Sequence, residues 1–195
     1  MKSLDSKFWD NKYLNDSTGW DLGCVSPPLK AYIDQLSDKN SSILIPGAGN
    51  AYEVDYLLEN DFKDVTVIDI APTLVNRLKT KYQGNKFVHL ILGDFFDFNE
   101  RKFEIIFEQT FFCALNPDLR KDYVVKTHDL LNKDGKLVGV LFNRDFDSNP
   151  PFGGDVQEYK LLFEPLFRLK KLEQCKNSFP AREGSELWIN FEAHY

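Results

Sequence analysis

Short apolar runs rich in β-branched residues alternate with longer amphipathic segments along this chain, and this alternation constrains the fold more than any other feature. The apolar runs predict strands over residues 41–45, 65–68, 87–92, 103–107 and 137–142. The amphipathic segments predict helices over residues 51–58, 73–82 and 116–131, the last of them beginning at Pro117 and ending near Asp134 and Gly135. Apolar strands separated by helices are typical of a parallel sheet that is buried on both faces.

The pattern changes after residue 142. A loop with Asn149, Pro150 and Pro151 precedes a predicted helix over 156–163, and two extended runs follow over 167–174 and 186–192. Because no helix separates these two runs, we expect an antiparallel hairpin at the edge of the sheet. The expected fold is therefore α/β, with three Rossmann-like layers and a mostly parallel seven-stranded sheet that ends in the hairpin. This is the layout of class I methyltransferases, whereas a dinucleotide dehydrogenase would more usually end with another βα unit.

A length of 195 residues predicts a single domain over 1–195. Within it we expect an N-terminal helical lid over 1–40, a nucleoside-binding βα core over 41–142, and a substrate-side helix with the edge hairpin over 143–195. The net charge of −6 disfavours nucleic acid or an anionic membrane as a partner, because both attract positive charge. No apolar run is long enough to cross a bilayer and no secretory signal is visible, so we expect a cytoplasmic protein. We also expect it to be a monomer. The three cysteines are widely spaced, and no metal site is predicted.

A glycine turn follows the first predicted strand. Gly47 and Gly49 lie between that strand and the next helix, where glycine allows a tight turn and the close approach of a ligand. The third glycine of a dinucleotide-binding motif would fall at position 52, which is Tyr52, so a pyrophosphate cofactor is disfavoured. Asp69 ends the second strand twenty positions after Gly49, where a carboxylate can accept hydrogen bonds from both ribose hydroxyls of a nucleoside.

Two further strand ends carry candidate binding residues. After the third strand, Asp94 could accept a hydrogen bond from the adenine amino group, and Phe95 could stack on the adenine ring, although Phe95 and Phe96 could also be core residues. After the fourth strand, Glu108 or Gln109 could contact the amino-acid part of a cofactor at the carboxyl edge of the sheet. An ordinary loop is the alternative at this position.

Six segments resemble the thiopurine S-methyltransferase family, and within it the branch of thiol and halide or thiocyanate methyltransferases. The likeness covers nearly the whole chain, and its most specific parts are the segment that contains Trp20 and the run that begins at Phe111. The segments are Gly19-Trp20-Asp21-Leu22-Gly23 with Pro28 downstream, Ile45-Pro46-Gly47-Ala48-Gly49, Val67-Ile68-Asp69-Ile70, Gly93-Asp94-Phe95-Phe96, Phe111-Phe112-Cys113-Ala114-Leu115-Asn116-Pro117 and Arg182-Glu183-Gly184-Ser185-Glu186 before Trp188.

The resemblance implies S-adenosylmethionine as the methyl donor and a small soft nucleophile as the acceptor. By position in the matching segments, nine residues would bind the cofactor: Trp9, Trp20, Gly47, Gly49, Asp69, Ile70, Asp94, Phe95 and Gln109. The position of Gln109 is often arginine or tyrosine in relatives, and Ala48 replaces a residue that is often cysteine.

Methyl transfer from a sulfonium is an in-line displacement that needs alignment and removal of water more than it needs a dedicated base. His89, His128 and His194 are therefore interpreted as structural or surface residues. Aromatic side chains are the expected walls of a dry pocket, and an indole can attract a sulfonium through a cation–π contact. The candidates for this pocket are Trp9, Trp20, Phe111, Phe112, Phe142 and Phe152, while Arg182 and Arg144 are candidates for attracting an anionic acceptor. Among these, Trp20, Phe111, Phe112 and Arg182 are the predicted positioning residues.

Three alternatives remain open. The acceptor could be a hydroxyl or an amine on a small metabolite, although such a reaction would need a base or a metal that the sequence does not indicate. The chain could bind S-adenosylmethionine without catalysis. A dehydrogenase is a further alternative, which Tyr52 disfavours.

Overall fold

Seven strands form one sheet in the computed structural model, which describes residues 4–194. The strands are β1 (Ile43–Pro46), β2 (Val65–Asp69), β3 (Val88–Leu92), β4 (Phe103–Gln109), β5 (Leu131–Phe142), β6 (Phe167–Gln174) and β7 (Glu186–Ala193). Their order in the sheet is β3-β2-β1-β4-β5-β7-β6. Strands β1 to β5 pair in parallel, β7 is antiparallel to β5, and β6 is antiparallel to β7. The predicted mostly parallel sheet with a C-terminal antiparallel hairpin is confirmed.

Six α-helices lie in the described part of the chain. They are α1 (Ser6–Leu14), α2 (Pro27–Ile33), α3 (Tyr52–Glu59), α4 (Pro72–Lys81), α5 (Arg120–Leu130) and α6 (Val156–Phe163). Ile43 and Ile45 of β1 pack in one core with residues of α2, α3 and α4, while Leu44 between them packs in a second core with residues of α5 and α6. Because neighbouring strand residues point to opposite faces, this alternation gives the three predicted layers.

The region of the predicted helix over 116–131 differs from expectation. Residues Pro117–Leu119 form a separate 3₁₀ turn, and the Asn116 side chain accepts a hydrogen bond from the backbone N–H of Asp118 at the start of that turn. The α-helix begins only at Arg120, and the strand predicted over 137–142 begins at Leu131. Pairing along β5 is interrupted between Leu131 and Lys136, so the predicted turn near Asp134 is an irregularity inside the strand.

The prediction that all five parallel strands are buried on both faces is wrong for β3. This strand pairs with β2 alone and forms an edge of the sheet. Leu92 is 46% exposed at its end, and His89 also faces solvent. An edge strand has only one neighbour, so the packing that buries β1 and β4 is not available to it.

The chain order of the strands reverses between β1 and β4, since β2 and β3 lie on one side of β1 and β4 and β5 lie on the other. In open α/β sheets, such a reversal opens a crevice beyond the carboxyl ends of the strands, and ligands bind there. In residues 4–194, no helix is long and apolar enough to span a membrane.

Candidate functional site

A cleft lies at the carboxyl ends of β1 and β4, at the point where the strand order reverses. Ile45, Gly47 and Gly49 line it from the β1 side, and Gln109 and Thr110 line it from the β4 side. It encloses about 520 Å³, its open mouth included. We call it the β1–β4 cleft. Its place in the fold makes it the candidate binding site.

The floor of the cleft is the glycine turn. Gly47 and Gly49 have φ angles of +60° and +53°, a region that residues with a Cβ atom rarely occupy. The turn is anchored by the Gly47 N–H, which donates to the Ile68 carbonyl across 2.9 Å. The Phe111 ring lies directly on Gly47, since a Cβ there would be 2.5 Å from Phe111 Cδ2. Phe111, a predicted positioning residue, therefore packs against the turn.

The chain from Ser6 to Cys24, which we call the N-terminal segment, contributes part of the lining of the cleft. The Trp20 side chain lines the cleft and stacks edge-on against Trp9, with ring centroids 5.7 Å apart, and against Tyr13, at 5.9 Å. Tyr13 also lines the cleft, whereas Trp9 does not line it and contacts the Trp20 ring. Tyr13 is not among the site residues predicted from the sequence; its signal is its spacing, because it lies four residues after Trp9 on the same face of α1.

Hydrogen bonds attach this N-terminal segment to the elements at the sheet's carboxyl edge. In helix α1, the Ser6 hydroxyl donates to the Ile70 carbonyl across 2.7 Å, and Asp10 accepts from the Thr73 N–H across 2.6 Å. The loop after α1 contributes the Asp21 carboxylate, which accepts from Asn50 and from the Tyr52 hydroxyl. Tyr52, which occupies the place of a third glycine, is thus a partner of the N-terminal segment.

Asp69 lies at the end of β2, as predicted, beneath the N-terminal segment. It is 8% exposed, and its Oδ1 accepts from the Ala71 N–H across 2.8 Å. Burial, and to a smaller degree the negative charge of Asp10, raise the pKa of Asp69 to about 6. Burial and the nearby charges of Asp69 and Asp21 raise the pKa of the Tyr13 hydroxyl. Tyr13 therefore stands close to the carboxylate that was expected to bind a ribose.

The two polar residues at the end of β4 have separate environments. Glu108 is fully buried, its Oε1 accepts from the N–H groups of Phe111 and Phe112, and its Oε2 accepts from the Tyr123 hydroxyl across 2.6 Å. Its role is to hold the chain that follows β4, and burial raises its pKa to about 7. Gln109 lines the cleft, and its Oε1 is buried without a hydrogen-bond partner among the described residues.

The aromatic candidates divide between the cleft and the core. Phe112 is 1% exposed and packs against Tyr123 and Tyr159, so the prediction that it walls the pocket does not match its place in the core. Phe95 is 4% exposed and packs in the same core, which leaves Phe96 as the more exposed ring of that pair.

Asp94, Phe142 and Phe152 lie outside the β1–β4 cleft. Asp94 is exposed, and its Oδ1 accepts from the Phe96 N–H across 2.9 Å. It remains close to Asp69, because the Gly93 N–H donates to the Asp69 carbonyl across 3.0 Å.

Arg182 was expected to attract an anion, but its guanidinium is engaged within the protein. Its Nη1 lies 3.3 Å from Glu186 Oε1, and its Nη2 donates to the Trp20 carbonyl across 2.7 Å. The side chain is 10% exposed. Arg144, the other cationic candidate, is exposed and stacks on Phe146. The hydrogen bond from Arg182 to the Trp20 carbonyl leaves no signal in the sequence, because its acceptor is a backbone atom.

The comparisons with known proteins give the family. A sequence model of the family described as thiopurine S-methyltransferase matches residues 4–192. A relative named probable thiol methyltransferase 2, from Arabidopsis thaliana, is 32% identical over 171 residues, which is 85% of this chain and 75% of the relative. Thiocyanate methyltransferase 1 from the same organism is 24% identical over 191 residues, which is 95% of this chain and 84% of the relative.

The fold has solved counterparts. The crystal structure of a Burkholderia thailandensis 1,6-didemethyltoxoflavin-N1-methyltransferase with bound 1,6-didemethyltoxoflavin and S-adenosylhomocysteine superimposes with a TM-score of 0.78. It shares 17% sequence identity and covers 97% of this chain and 87% of that one. At this identity the likeness establishes the fold, and it agrees with the class I methyltransferase layout predicted from the alternation of strands and helices and the final hairpin.

Proposed function

The chain belongs to the thiopurine S-methyltransferase family and is therefore a methyltransferase of soft nucleophiles; we propose that it takes the methyl group from S-adenosylmethionine bound in the β1–β4 cleft. This donor carries an adenine, a ribose and an amino-acid end with an ammonium and a carboxylate. The cleft and the strand ends beside it offer a different kind of partner to each of these parts.

The observation that carries the proposal is the buried Oε1 of Gln109. An amide oxygen that is buried without a partner costs about 1–3 kcal/mol, so a donor at this position would be stabilising. The ammonium of the cofactor's amino-acid end is such a donor, and Gln109 already lines the cleft. The positive φ angles of Gly47 and Gly49 support the same assignment, since they let the backbone come close to a ligand.

Asp69 and Asp94 suit the nucleoside end. Asp69 has a carboxylate at the end of β2, and its Oδ1 accepts a hydrogen bond from the Ala71 N–H. The ribose hydroxyls would donate to this carboxylate, and the adenine amino group would donate to the nearby Asp94. Tyr13 and Trp20 would then close over the bound molecule, so that water is kept from the reacting atoms.

When bound, S-adenosylmethionine supplies an electrophilic methyl group on a sulfonium. The chain's contribution is to hold that group in place, to face it with the Trp20 indole, and to admit an acceptor along the line of displacement. A cation–π contact between an indole and a desolvated cation is worth about 2 kcal/mol. We propose as acceptors a thiol, a thiopurine-like heterocycle, or an anion such as thiocyanate or a halide, in keeping with the names of the relatives.

Two measurements test this proposal. Calorimetry with S-adenosylhomocysteine should detect binding, and incubation with methyl-labelled S-adenosylmethionine and a panel of thiols, thiopurines, thiocyanate and iodide should yield labelled product. Gln109→Leu should weaken S-adenosylhomocysteine binding, while Gln83→Leu, in an exposed turn after α4, should not. Binding without transfer to any acceptor would indicate a protein that only binds the cofactor, and absence of binding would overturn the proposal.

A further inference from the structure

Five residues other than glycine have a left-handed backbone in the described range 4–194. They are Asp16, Ala51, Asp61, Thr110 and Asp134, with φ angles between +50° and +67°. The three aspartates are exposed. Aspartate tolerates this conformation better than most residues, because its short polar side chain can form hydrogen bonds with the local backbone. Alanine and threonine lack this advantage, so the backbone of Ala51 and Thr110 needs another explanation.

Both of these residues lie at the β1–β4 cleft. Ala51 stands between Asn50 and Tyr52, which line the cleft, and Thr110 lines it from the β4 side. Strained backbone conformations are concentrated at functional sites, where the surrounding structure maintains them. Thr110 is the more informative of the two, because a β-branched residue is an outlier in the left-handed region and because it directly follows Gln109.

The conformation of Thr110 is maintained by the side chain of Glu108. Thr110 has a left-handed backbone, and Phe111 after it has a right-handed one, with φ −83° and ψ −47°. Such a pair of residues directs successive N–H groups towards one point, where an acceptor can bind them together. Here the acceptor is Glu108 Oε1, which lies 2.8 Å from the Phe111 N and 3.0 Å from the Phe112 N. The buried carboxyl group thus holds the turn in its strained form.

The Thr110 side chain adds a second constraint on the same turn. Its hydroxyl donates to the Gln109 carbonyl across 2.6 Å, and the Thr110 carbonyl accepts from the Cys113 thiol across 3.3 Å. The carbonyl groups on both sides of the Thr110 Cα atom are therefore hydrogen-bonded. Gln109 is the last residue of β4, and its buried Oε1 has no hydrogen-bond partner among the described residues. A fixed main chain at this point limits the directions in which the Gln109 amide can point.

We propose that Thr110 is a positioning residue for the methyl donor, whose strained backbone and hydroxyl hold the Gln109 amide oxygen towards the β1–β4 cleft. The proposal rests on the proposed function, since it needs S-adenosylmethionine in the cleft with its ammonium at Gln109. A glycine at position 110 would adopt this φ angle without strain, but it would allow the turn more conformations. The threonine is therefore explained by the binding of the donor and not by the stability of the fold.

The test measures S-adenosylhomocysteine binding by calorimetry. Thr110→Gly should raise the dissociation constant about tenfold, which corresponds to the loss of one hydrogen bond to a charged group. Thr110→Ser keeps the hydroxyl and should recover most of this loss. Asp61→Gly is the control, because Asp61 has a φ angle of +67° in the exposed turn between α3 and β2, so the same exchange there should leave binding at the wild-type value.

A double-mutant cycle separates positioning from packing. If Thr110 acts through Gln109, Thr110→Gly should change the dissociation constant by less than about twofold in a Gln109→Leu chain. With an acceptor that the wild type methylates, the KM for S-adenosylmethionine should rise about tenfold in Thr110→Gly while kcat stays within about twofold, because the ammonium is held equally before and during transfer. Losses that add to those of Gln109→Leu, or a fall in kcat at unchanged KM, would overturn the proposal.

Thr110→Val keeps the proposal testable if the glycine variant does not fold. Valine keeps the branched shape and removes only the hydroxyl, so binding should weaken about threefold, and only in chains that have Gln109. An equal loss in the Gln109→Leu chain would contradict the role of the hydroxyl. If the wild type binds no S-adenosylhomocysteine, the proposed function fails and this inference fails with it. Wild-type affinity in Thr110→Gly overturns this inference alone.

Discussion

The Nη2 atom of Arg182 lies 2.7 Å from the backbone carbonyl of Trp20 and donates a hydrogen bond to it. This contact joins the turn before β7 to the N-terminal segment over the cleft, across 162 positions of sequence. Because the acceptor is a backbone atom, the contact fixes the path of the segment without depending on the Trp20 side chain. The indole is thus held over the cleft from two sides, by Arg182 through its carbonyl and by Trp9 and Tyr13 through its ring.

Trp20→Ala should weaken S-adenosylmethionine binding by about 1–2 kcal/mol, because it removes the indole that lines the cleft and would face the sulfonium. Trp9→Ala is the matched control. It deletes the partner ring of the same stacked pair, but Trp9 does not line the cleft, so the variant should lose thermal stability with a smaller loss of affinity. Calorimetry and thermal melting of both variants check this. Equal losses of affinity would mean that the two indoles bind the cofactor alike.

Asp69→Asn should weaken S-adenosylhomocysteine binding by about 1.5–3 kcal/mol, the value of hydrogen bonds to a charged group, while its remaining oxygen keeps the bond to the Ala71 N–H. Asp64→Asn, just before the other end of β2, is the control, since that carboxylate pairs with Arg101 away from the cleft. Burial raises the pKa of Asp69 to about 6, so wild-type affinity should also fall between pH 7.5 and pH 5. A pH dependence that is the same in Asp69→Asn would assign it to another group.

Much of the fold could be predicted because it depends on local pattern. The apolar runs that became β1, β2 and β4 are buried on both faces and separated by amphipathic helices, and both strands of the hairpin follow from extended runs without a helix between them. The exposure of β3 could not be predicted in this way, because its sequence is as apolar as that of β2. It is exposed because of its position at the edge, which depends on the order of strands.

Site residues that lie at the ends of strands could be predicted from the sequence. Residues whose position depends on a contact with a distant part of the chain could not. Gly47, Gly49 and Gln109 meet in the cleft because β1 and β4 are neighbours with the same direction. Phe112 follows Phe111 directly, yet the 3₁₀ turn after β4 sends the two rings to different places, Phe111 to the glycine turn and Phe112 to the core. Arg182 is buried by an N-terminal segment that no local pattern connects to it.

Gly47→Ala should lower the free energy of unfolding and displace Phe111. For a residue with a Cβ, the left-handed backbone conformation is less favourable by about 1–2 kcal/mol. Here the new Cβ atom would also lie 2.5 Å from Phe111 Cδ2. Gly84→Ala is the control, because Gly84 has a φ of +79° but no atom within 4 Å of the new Cβ. Urea unfolding should show a larger loss for Gly47→Ala, and Phe111→Ala in the same chain should recover the difference. Equal losses of unfolding free energy in Gly47→Ala and Gly84→Ala would mean that the Phe111 ring moves aside without a cost in stability.

Glu108→Gln should become more stabilising relative to the wild type as the pH rises. Burial raises the pKa of Glu108 from 4.5 to about 7, so the folded state favours the protonated form. The contribution of Glu108 to folding is then fully present below about pH 4.5 and is lost as the pH rises through about 7.

A glutamine does not titrate, and its oxygen can still accept from the Phe111 and Phe112 N–H groups. The difference in unfolding free energy between Glu108→Gln and the wild type should therefore grow in favour of the variant between pH 5 and pH 8. Urea unfolding at several pH values measures it. Tyr123→Phe removes the hydroxyl that lowers the pKa of Glu108, so it should move the wild-type transition to higher pH. If the free energy of unfolding changes with pH equally in the wild type and in Glu108→Gln, Glu108 stays ionised in the folded protein. The burial of its carboxyl group is then compensated by the three hydrogen bonds that it accepts.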